Sequence, residues 1–250
     1  MYKNVQQTLD FFRTIDSLTQ DIQGERFRLF AMAPYPALYR VSSELPSRKM
    51  WLGAQDVYWE EYGAFTGAVS PSMLEECGVQ VVQVGHSERR RLFGETDRMI
   101  NRKVRATLKH DFVTLVCVGE TAEEKAWGIS IERIREQTKI ALDGAEADDF
   151  AKIWLAYEPA WAIGESGVPA TPEYASDMHQ ALRQVLVELS PSAGPRIPIL
   201  YGGSVDPSNA LEFIAKPEID GLYIGRSAYD AERYNPLIRS ILSVWHQKPA

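Results

Sequence analysis

The feature that most constrains the fold is the regular alternation of short apolar runs with longer amphipathic stretches along the whole chain. The apolar runs cover residues 27–33, 50–54, 79–85, 112–119, 153–158, 197–202 and 221–225. Several of these runs are continuously apolar, as expected for parallel strands that are covered on both faces. The amphipathic stretches predict helices at Val5–Leu18 and at residues 97–110, 129–143 and 171–189. This alternation predicts a parallel α/β fold.

Length, charge and cysteine content narrow the class of protein. A chain of 250 residues can form one α/β domain, and we expect a single domain over residues 1–250. The net charge of −7 argues against partners such as nucleic acid or an acidic membrane surface. We also find no apolar run long enough to span a membrane and nothing like a signal peptide. Cys77 and Cys117 form no disulfide framework, which favours a reducing cytoplasm.

Polar and glycine-rich segments follow the predicted strands. In a parallel barrel the loops at the carboxyl ends of the strands form the active site. A doubly wound sheet also binds ligands at that edge, so this observation does not separate the two architectures. The sequence contains no glycine-rich dinucleotide-binding or Walker motif, which weakens the interpretation as a nucleotide-binding protein.

His86 directly follows a predicted buried strand and stands where a helix is predicted to begin. The positive end of the helix dipole disfavours an imidazolium there and keeps the ring neutral. A neutral imidazole can donate a hydrogen bond to a substrate carbonyl and move protons between its two oxygens. The alternative interpretation is a structural histidine that caps the end of the strand.

Glu158 ends another predicted strand and is followed by Pro159, Trp161 and Ile163. Apolar neighbours raise the pKa of a carboxyl group and make it a better base. The segment of small residues between Pro159 and Pro169 is typical of a hinged lid. A surface ion pair is the alternative role for Glu158.

Two glycine turns follow the last two predicted strands. The first contains Gly202, Gly203 and Ser204, and the second spans residues 221–227 with Gly225. Backbone N–H groups at such turns, together with the serine hydroxyl, predict an anion site at the place where barrels often bind phosphate. A phosphate can be held in this way by local groups even when the net charge is negative.

Six ordered motifs resemble those of the triosephosphate isomerase family. They are Gly53-Ala54-Gln55-Asp56, Gly63-Ala64-Phe65-Thr66-Gly67, Val84-Gly85-His86-Ser87-Glu88-Arg89-Arg90, Cys117-Val118-Gly119-Glu120, Ala156-Tyr157-Glu158-Pro159-Ala160-Trp161 and Tyr201-Gly202-Gly203-Ser204-Val205. The resemblance covers essentially the whole chain and implies a (β/α)8 TIM barrel. It implies an aldose–ketose isomerase that interconverts glyceraldehyde 3-phosphate and dihydroxyacetone phosphate, as in glycolysis and gluconeogenesis.

The resemblance also assigns roles to residues. Glu158 is expected to remove the proton next to the carbonyl, His86 to act as the neutral electrophile and Glu88 to lie beside it. The expected contacts of the substrate phosphate are Gly164, Gly202, Gly203, Ser204, Gly225 and Arg226. The resemblance implies no cofactor and no metal ion.

A homodimer is implied by the stretch from Gln55 to Gly67, which resembles the loop that family members insert into the neighbouring active site. Thr66 is expected to reach toward Glu88 of the partner subunit. An ordinary surface loop is the alternative interpretation of this stretch.

The chain departs from the family pattern near its start. We count seven strands where the barrel needs eight, and the family's opening strand with its catalytic lysine has no counterpart from Met1 onward. Lys3 falls in the entry to the first helix and is not assigned the catalytic role. We expect the missing strand to precede Met1, because a barrel without it has two unpaired edges. The alternative is a non-catalytic barrel, and a nucleotide-binding α/β protein is the third interpretation.

Two further departures concern the substrate. The lid is one residue longer than is usual in the triose enzyme, with Glu165-Ser166 in place of a Thr-Gly pair. Arg226 stands where the family usually has a second glycine, and could bind the phosphate through two hydrogen bonds or point to solvent. Both changes resemble the branch that isomerises L-erythrulose 1-phosphate. Triose phosphate and tetrulose phosphate therefore both remain candidate substrates.

Overall fold

A computed structural model describes residues 2–22, 27–164 and 167–248 of the chain. In this part of the chain, seven parallel strands form one sheet. The strands are β1 (Phe30–Ala33), β2 (Trp51–Ala54), β3 (Val81–Val84), β4 (Val113–Val118), β5 (Ile153–Tyr157), β6 (Ile199–Tyr201) and β7 (Gly221–Leu222). Each lies within one of the seven apolar runs, so the predicted strands are confirmed, although most are shorter than predicted.

The order of the strands in the sheet is the order of the chain, from β1 to β7. A doubly wound sheet reverses its strand order at the point where it binds ligands. No such reversal occurs among the described strands, so the doubly wound alternative is wrong.

Helices connect successive strands and cover the outside of the sheet. The described helices are α1 (Val5–Leu18), α2 (Tyr35–Glu44), α3 (Pro71–Glu76), α4 (Ser87–Phe93), α5 (Asp97–Thr107), α6 (Ala122–Ala126), α7 (Ser130–Ala141), α8 (Pro172–Leu189), α9 (Ala210–Ile214) and α10 (Ala231–Trp245). Local sequence explains their starts. In α8 the Thr171 side chain accepts a hydrogen bond from the Tyr174 N–H, and Pro172 occupies the first helical position. Among the described residues, none of these helices combines the length and apolar character needed to cross a bilayer.

The sheet is curled around an apolar interior. Trp51 on β2 stacks on Trp154 on β5, with ring centroids 5.9 Å apart and planes 11° apart. Phe30 on β1 stacks in the same way on Tyr223, which follows β7, at 5.8 Å. Strands so far apart in the order of the sheet can meet only across an enclosed interior. A second and larger apolar layer lies between the sheet and the helices.

The sheet is open between its two edge strands. Among the described residues, β1 pairs only with β2 and β7 pairs only with β6. Lys3 lies near this opening, where its Nζ donates to the Tyr229 carbonyl oxygen at 2.6 Å, a contact that gives it a structural role at the start of the chain. A cavity of about 1450 Å³ runs from the carboxyl ends of the strands along the opening.

Candidate active site

His86 and Glu158 face each other at the carboxyl ends of β3 and β5. Nε2 of His86 lies 3.3 Å from Oε1 of Glu158, and both residues line the large cavity. The backbone N–H of Ser87 donates to Oε2 of Glu158 at 3.4 Å. The Glu158 side chain is only 3% exposed. The surface ion pair considered for Glu158 is therefore wrong, since the carboxylate is buried and its neighbour is an imidazole in a shared cavity.

The hydrogen bonds of His86 define its protonation state. Its Nδ1 accepts a hydrogen bond from the backbone N–H of Glu88 at 3.2 Å and so caps the N-terminus of α4. A ring nitrogen that accepts a hydrogen bond carries no proton, so the neutral imidazole holds its hydrogen on Nε2. Nε2 is also the ring nitrogen that lies 3.3 Å from Oε1 of Glu158. The ring thus caps α4, and its role as the neutral electrophile stays a prediction.

Burial raises the pKa of Glu158 above its ordinary value. Four neighbours oppose this effect by stabilising the carboxylate: the His86 ring, the Cys117 thiol, the Ser87 N–H and the charge of Arg90. The raised pKa agrees with the prediction made from the apolar neighbours of Glu158. Trp161, however, contributes through a different contact, because its indole N–H donates to Glu120 at 2.8 Å.

Two glycines make room for Glu158. A Cβ at Gly119 would lie 2.0 Å from the Glu158 carbonyl oxygen, where the end of β4 passes the end of β5. A Cβ at Gly202 would lie 2.8 Å from Cγ of Glu158. Because both approaches are too close for a side chain, glycine at position 119 lets the Glu158 backbone pass the end of β4, and glycine at position 202 leaves room for the Glu158 side chain.

The predicted phosphate contacts line the same cavity as His86, Glu88 and Glu158. They are Gly164, Gly202, Gly203, Ser204, Gly225 and Arg226. In the structure the Ser204 hydroxyl donates to the Ala162 carbonyl oxygen at 2.8 Å. Nη2 of Arg226 donates to the Gly164 carbonyl oxygen at 2.7 Å. Arg226 is exposed to solvent and also contacts the lid, a contact that the sequence did not predict.

The lid is described on both sides of Glu165 and Ser166, and these two residues lie outside the described residues. Gly164 adopts a positive φ of 97°, which favours glycine. The Val168 N–H donates to the Trp161 carbonyl oxygen at 3.3 Å and joins the two sides.

A buried carboxylate behind the lid received no role from the sequence. Glu120 is fully buried and accepts hydrogen bonds from Tyr157, Trp161 and Tyr174 at 2.8–3.1 Å. Its position after β4 is visible in the sequence as a polar residue at a strand end, but the three donors come from distant parts of the chain. The cluster holds the first turn of the lid against α8.

The residues assigned to a dimer contact are solvent-accessible. Gln55 and Thr66 are both exposed, and Glu88 is 59% exposed beside His86. Tyr62, which lies between Gln55 and Thr66 in the chain, is 91% exposed. The contact between Thr66 and a partner subunit stays a prediction.

Within the described residues, no cluster of three or more His, Cys, Asp or Glu side chains is arranged to hold a metal ion. The chemical groups at the mouth of the cavity are a carboxylate, a neutral imidazole and backbone N–H groups. Such a set can transfer protons and bind an anion.

The comparison with known families decides where this site belongs. Residues 1–241 match the family model described as triosephosphate isomerase. The chain belongs to the triosephosphate isomerase family. The family assignment makes it an isomerase with a TIM-barrel fold, as the resemblance implied.

Two relatives and one solved structure show where the chain stands within the triosephosphate isomerase family. It is 42% identical over 235 residues to an L-erythrulose-1-phosphate isomerase of Mesorhizobium japonicum, covering 94% of this chain and 91% of the relative. It is 45% identical over 206 residues to one of Rhizobium rhizogenes, covering 82% and 78%. A crystal structure of triosephosphate isomerase from Bartonella henselae superposes with a TM-score of 0.85 at 30% identity, covering 99% of this chain and 96% of that one.

Proposed function

We propose that this chain isomerises L-erythrulose 1-phosphate through an enediolate, with Glu158 as the base and His86 as the electrophile. The observation that carries the proposal is the 3.3 Å approach of Nε2 of His86 to Oε1 of Glu158 in a shared cavity. The choice of substrate is supported by the names of the Mesorhizobium and Rhizobium relatives.

The geometry suits proton transfer between two adjacent carbons. In L-erythrulose 1-phosphate, a carbonyl at C2 lies between the phosphorylated C1 and a hydroxylated C3. Glu158 takes the proton from C3 as the C2=C3 double bond forms, and the electron pair of the carbonyl moves to O2. The Nε2–H of His86 stabilises O2 during this step. Glu158 then returns the proton to C2, and the hydroxyl proton of O3 moves to O2, so that the carbonyl is now at C3 and a hydroxyl at C2.

This chemistry refines the class of isomerase expected from the resemblance. C3 of the tetrulose phosphate carries a hydroxymethyl group in place of the second hydrogen of the triose. A carbonyl formed there lies between two carbons, so the product is a ketose. On this substrate the reaction is therefore a ketose–ketose isomerisation, whereas the triose reaction joins an aldose and a ketose.

The glycine turns supply the binding site for the phosphate in this proposal. The backbone N–H groups of Gly203, Ser204 and Gly225 line the cavity and donate to no backbone carbonyl of the described chain. Unpaired N–H groups at glycine turns are suited to an anion. Gly164, Gly202 and Arg226 complete the wall of the site, with the guanidinium already beside the lid.

Triose phosphate is the second candidate substrate. It is supported by the likeness to the structure of triosephosphate isomerase from Bartonella henselae. Dihydroxyacetone phosphate has the same order of phosphate, carbonyl and hydroxylated carbon, so the same two residues would act on it. The two candidates differ only in the space needed beyond the hydroxylated carbon.

The assembly and location of the enzyme belong to the same proposal. We infer a homodimer of single-domain barrels in the cytoplasm, in which the segment from Gln55 to Gly67 meets a second copy near Glu88. Exposed aromatic residues such as Tyr62 support a role for this segment in contacts between subunits.

Proton NMR in deuterium oxide tests the proposal with both substrates. We expect the carbon-bound proton next to the carbonyl to exchange with deuterium as the substrate isomerises. Glu158→Gln should abolish this exchange, whereas Glu212→Gln on the exposed face of α9 should preserve it. Absence of exchange and of product with either substrate would contradict the proposal and favour the non-catalytic barrel.

A further inference from the structure

A chain of polar side chains inside the barrel has no role in the site so far described. Gln83 lies on β3 between Val82 and Val84 and is only 4% exposed. Its Oε1 lies 2.7 Å from the Tyr223 hydroxyl and its Nε2 lies 3.6 Å from Sγ of Cys117. Cys117 pairs with Ala156 on β5, so its side chain lies on the same face of the sheet as that of Glu158, two residues further along. The nearby carboxylate raises the pKa of the buried Cys117 thiol, after the larger effect of burial. The four side chains therefore form one continuous path from β7 to the candidate base.

The carboxylate end determines the direction of every hydrogen bond in this path. An ionised Glu158 can only accept, so the Cys117 S–H must point toward it. Sγ can then accept a hydrogen bond but not donate a second one, so the NH₂ end of Gln83 faces the sulfur. The carbonyl end of the amide consequently faces Tyr223, whose O–H must donate. All three donors thus point toward Glu158, an arrangement in which each bond polarises the next.

Stacking holds the far end of the path in place. The Tyr223 ring lies on the Phe30 ring at 5.8 Å with planes 19° apart. An amide in a buried strand of valines costs free energy unless its hydrogen bonds are made. The Gln83 amide makes these hydrogen bonds at both of its ends. Its polar groups are therefore paired within the barrel.

We propose that Gln83 and Tyr223 are positioning residues that act through Cys117 to orient and polarise the carboxylate of Glu158. The proposal rests on the proposed function in one respect, because it takes Glu158 to be the base. Neither residue needs to touch the reacting atoms. Their effect is on the direction in which the Glu158 oxygens point and on how tightly Glu158 holds its proton.

Other charged and polar groups face Glu158 from the remaining elements and must be held constant in a test. His86 approaches from the end of β3, the Ser87 N–H from the start of α4, and Arg90 from within α4. The Cys117 thiol from β4 is the neighbour that the interior path can modify. A change at Gln83 or Tyr223 leaves the other three groups in place.

Loss of the Gln83 amide should raise the pKa of Glu158. Without a hydrogen bond to its sulfur, the Cys117 thiol is a weaker donor, so the ionised carboxylate loses stabilisation. Gln83→Met keeps the length of the side chain and removes the donor. We expect this variant to lower kcat by about threefold to tenfold, since the Cys117 thiol that orients the carboxylate is held less firmly, with little change in KM.

The decisive measurement is a pH titration of the Glu158 carboxyl carbon by ¹³C NMR, assigned by the signal missing in Glu158→Gln. We expect the pKa of Glu158 to move upward in Gln83→Met and in Tyr223→Phe. Tyr201→Phe is the matched control, because its buried hydroxyl belongs to the layer between sheet and helices. In that control the pKa of Glu158 should stay in place.

A double-mutant cycle separates the polar path from a general loosening of the barrel. In a Cys117→Ala background, Gln83→Met should cause no further movement of the Glu158 pKa, because the path is already cut. An unmoved pKa in the single variants, or an equal movement in the Cys117→Ala background, would overturn the proposal. Thermal unfolding of each variant checks that the fold is retained.

The titration needs no substrate, so it can fail or succeed independently of the proposed function. Inactivity of the unmodified chain on both substrates would contradict the function while the titration still reports on the path. If the enzyme is active but the pKa of Glu158 is the same in the unmodified chain and in Gln83→Met, only the positioning role is contradicted.

Discussion

Glu158 is held by opposing effects that act on a single side chain. Burial raises its pKa, while the neighbouring donors His86, Cys117 and Ser87 stabilise its charged form. A carboxylate in such an environment is shielded from water, and its neighbours hold its oxygens in place. Both effects favour proton abstraction at neutral pH. The same environment makes its geometry sensitive to small changes, because a Cβ at Gly202 would lie 2.8 Å from Cγ of Glu158.

Shortening this side chain tests the geometry. Glu158→Asp withdraws the carboxylate by about one methylene from the reacting carbon. We expect kcat to fall by about a hundredfold or more, since misplacement of about 1 Å can cost that much, while the fold is preserved. Steady-state kinetics and circular dichroism check both statements. An unchanged rate would show that another group is the base.

The charge of Glu158 also makes stability depend on pH. Its pKa in the folded state is raised above the unfolded value, so the folded protein holds this proton more tightly. The resulting contribution to stability is present below the unfolded pKa and is lost as pH rises through the folded pKa. Relative to Glu158→Gln, the wild type should therefore lose stability as pH is raised from about 4.5.

Urea unfolding of the two proteins across this pH range measures the difference between their free energies of unfolding. Only the change of that difference with pH is predicted, because the substitution Glu158→Gln also alters the hydrogen bond with Ser87. A constant difference across the range would contradict the raised pKa.

The residues of the site are predictable from the sequence to different extents. His86 and Glu158 stand out because each is a polar residue at the end of an apolar run, where strand ends converge. Gln83 and Cys117 lie within such runs, and in a strand covered on both faces the sequence does not reveal which face a residue takes. The Arg226 contact depends on the position of the lid, which no local pattern encodes.

At the scale of elements, long and periodic segments are the most predictable. The sequence predicts helix α1 with its observed bounds, and α8 begins one residue after its predicted threonine cap. Most strands are shorter than their apolar runs, because apolar residues next to a strand are also buried in the core, as are Val79, Phe112 and Ile197 before β3, β4 and β6. The sequence does not predict short helices such as α3 and α9, since a segment of five or six residues carries little periodicity.

Helix α8 contains a buried histidine that should destabilise the fold in acid. Burial lowers the pKa of His179 to about 3, while its unfolded value is about 6.5. The folded state therefore excludes a proton that the unfolded state binds, and stability is lost as pH falls below about 6.5. In His179→Phe this part of the pH dependence, about 1.4 kcal/mol per pH unit within the window, should disappear.

Urea unfolding at pH 6.5, 5.5 and 4.5 measures this slope. His110 provides a control of opposite sign, because its contacts with Glu61 and Glu75 raise its pKa against the effect of burial. A contribution from His110 is present at low pH and is lost as pH rises through its folded pKa. His110→Gln should therefore leave the loss of stability caused by His179 in place.

At the scale of the whole molecule, the opening between β1 and β7 leaves the two edge strands with fewer neighbours than the central strands. Each strand from β2 to β6 has a neighbour on both sides, whereas β1 and β7 each have one among the described residues. Unpaired strand edges expose backbone groups to water or to another chain. The cavity along this opening gives solvent a route to those groups.

Hydrogen exchange should follow this asymmetry. We expect backbone amides of β1 to exchange about tenfold or more faster than those of β4, which is paired on both sides. Mass spectrometry of peptides that cover residues 29–33 and 113–118 measures the two rates. Equal protection would show that the edge is covered in solution by a further strand or by a second copy.

The stacked tryptophans have a consequence for observing this fold in solution. Trp51 and Trp154 are two of the six indoles of the chain, and their strands are three places apart in the sheet. Their excited states can couple only while the sheet is rolled up, because flattening would separate β2 from β5. The coupling between these two indoles therefore reports on the curvature of the sheet. The coupled circular-dichroism band of this pair would fade in a collapsed state that still keeps its helices.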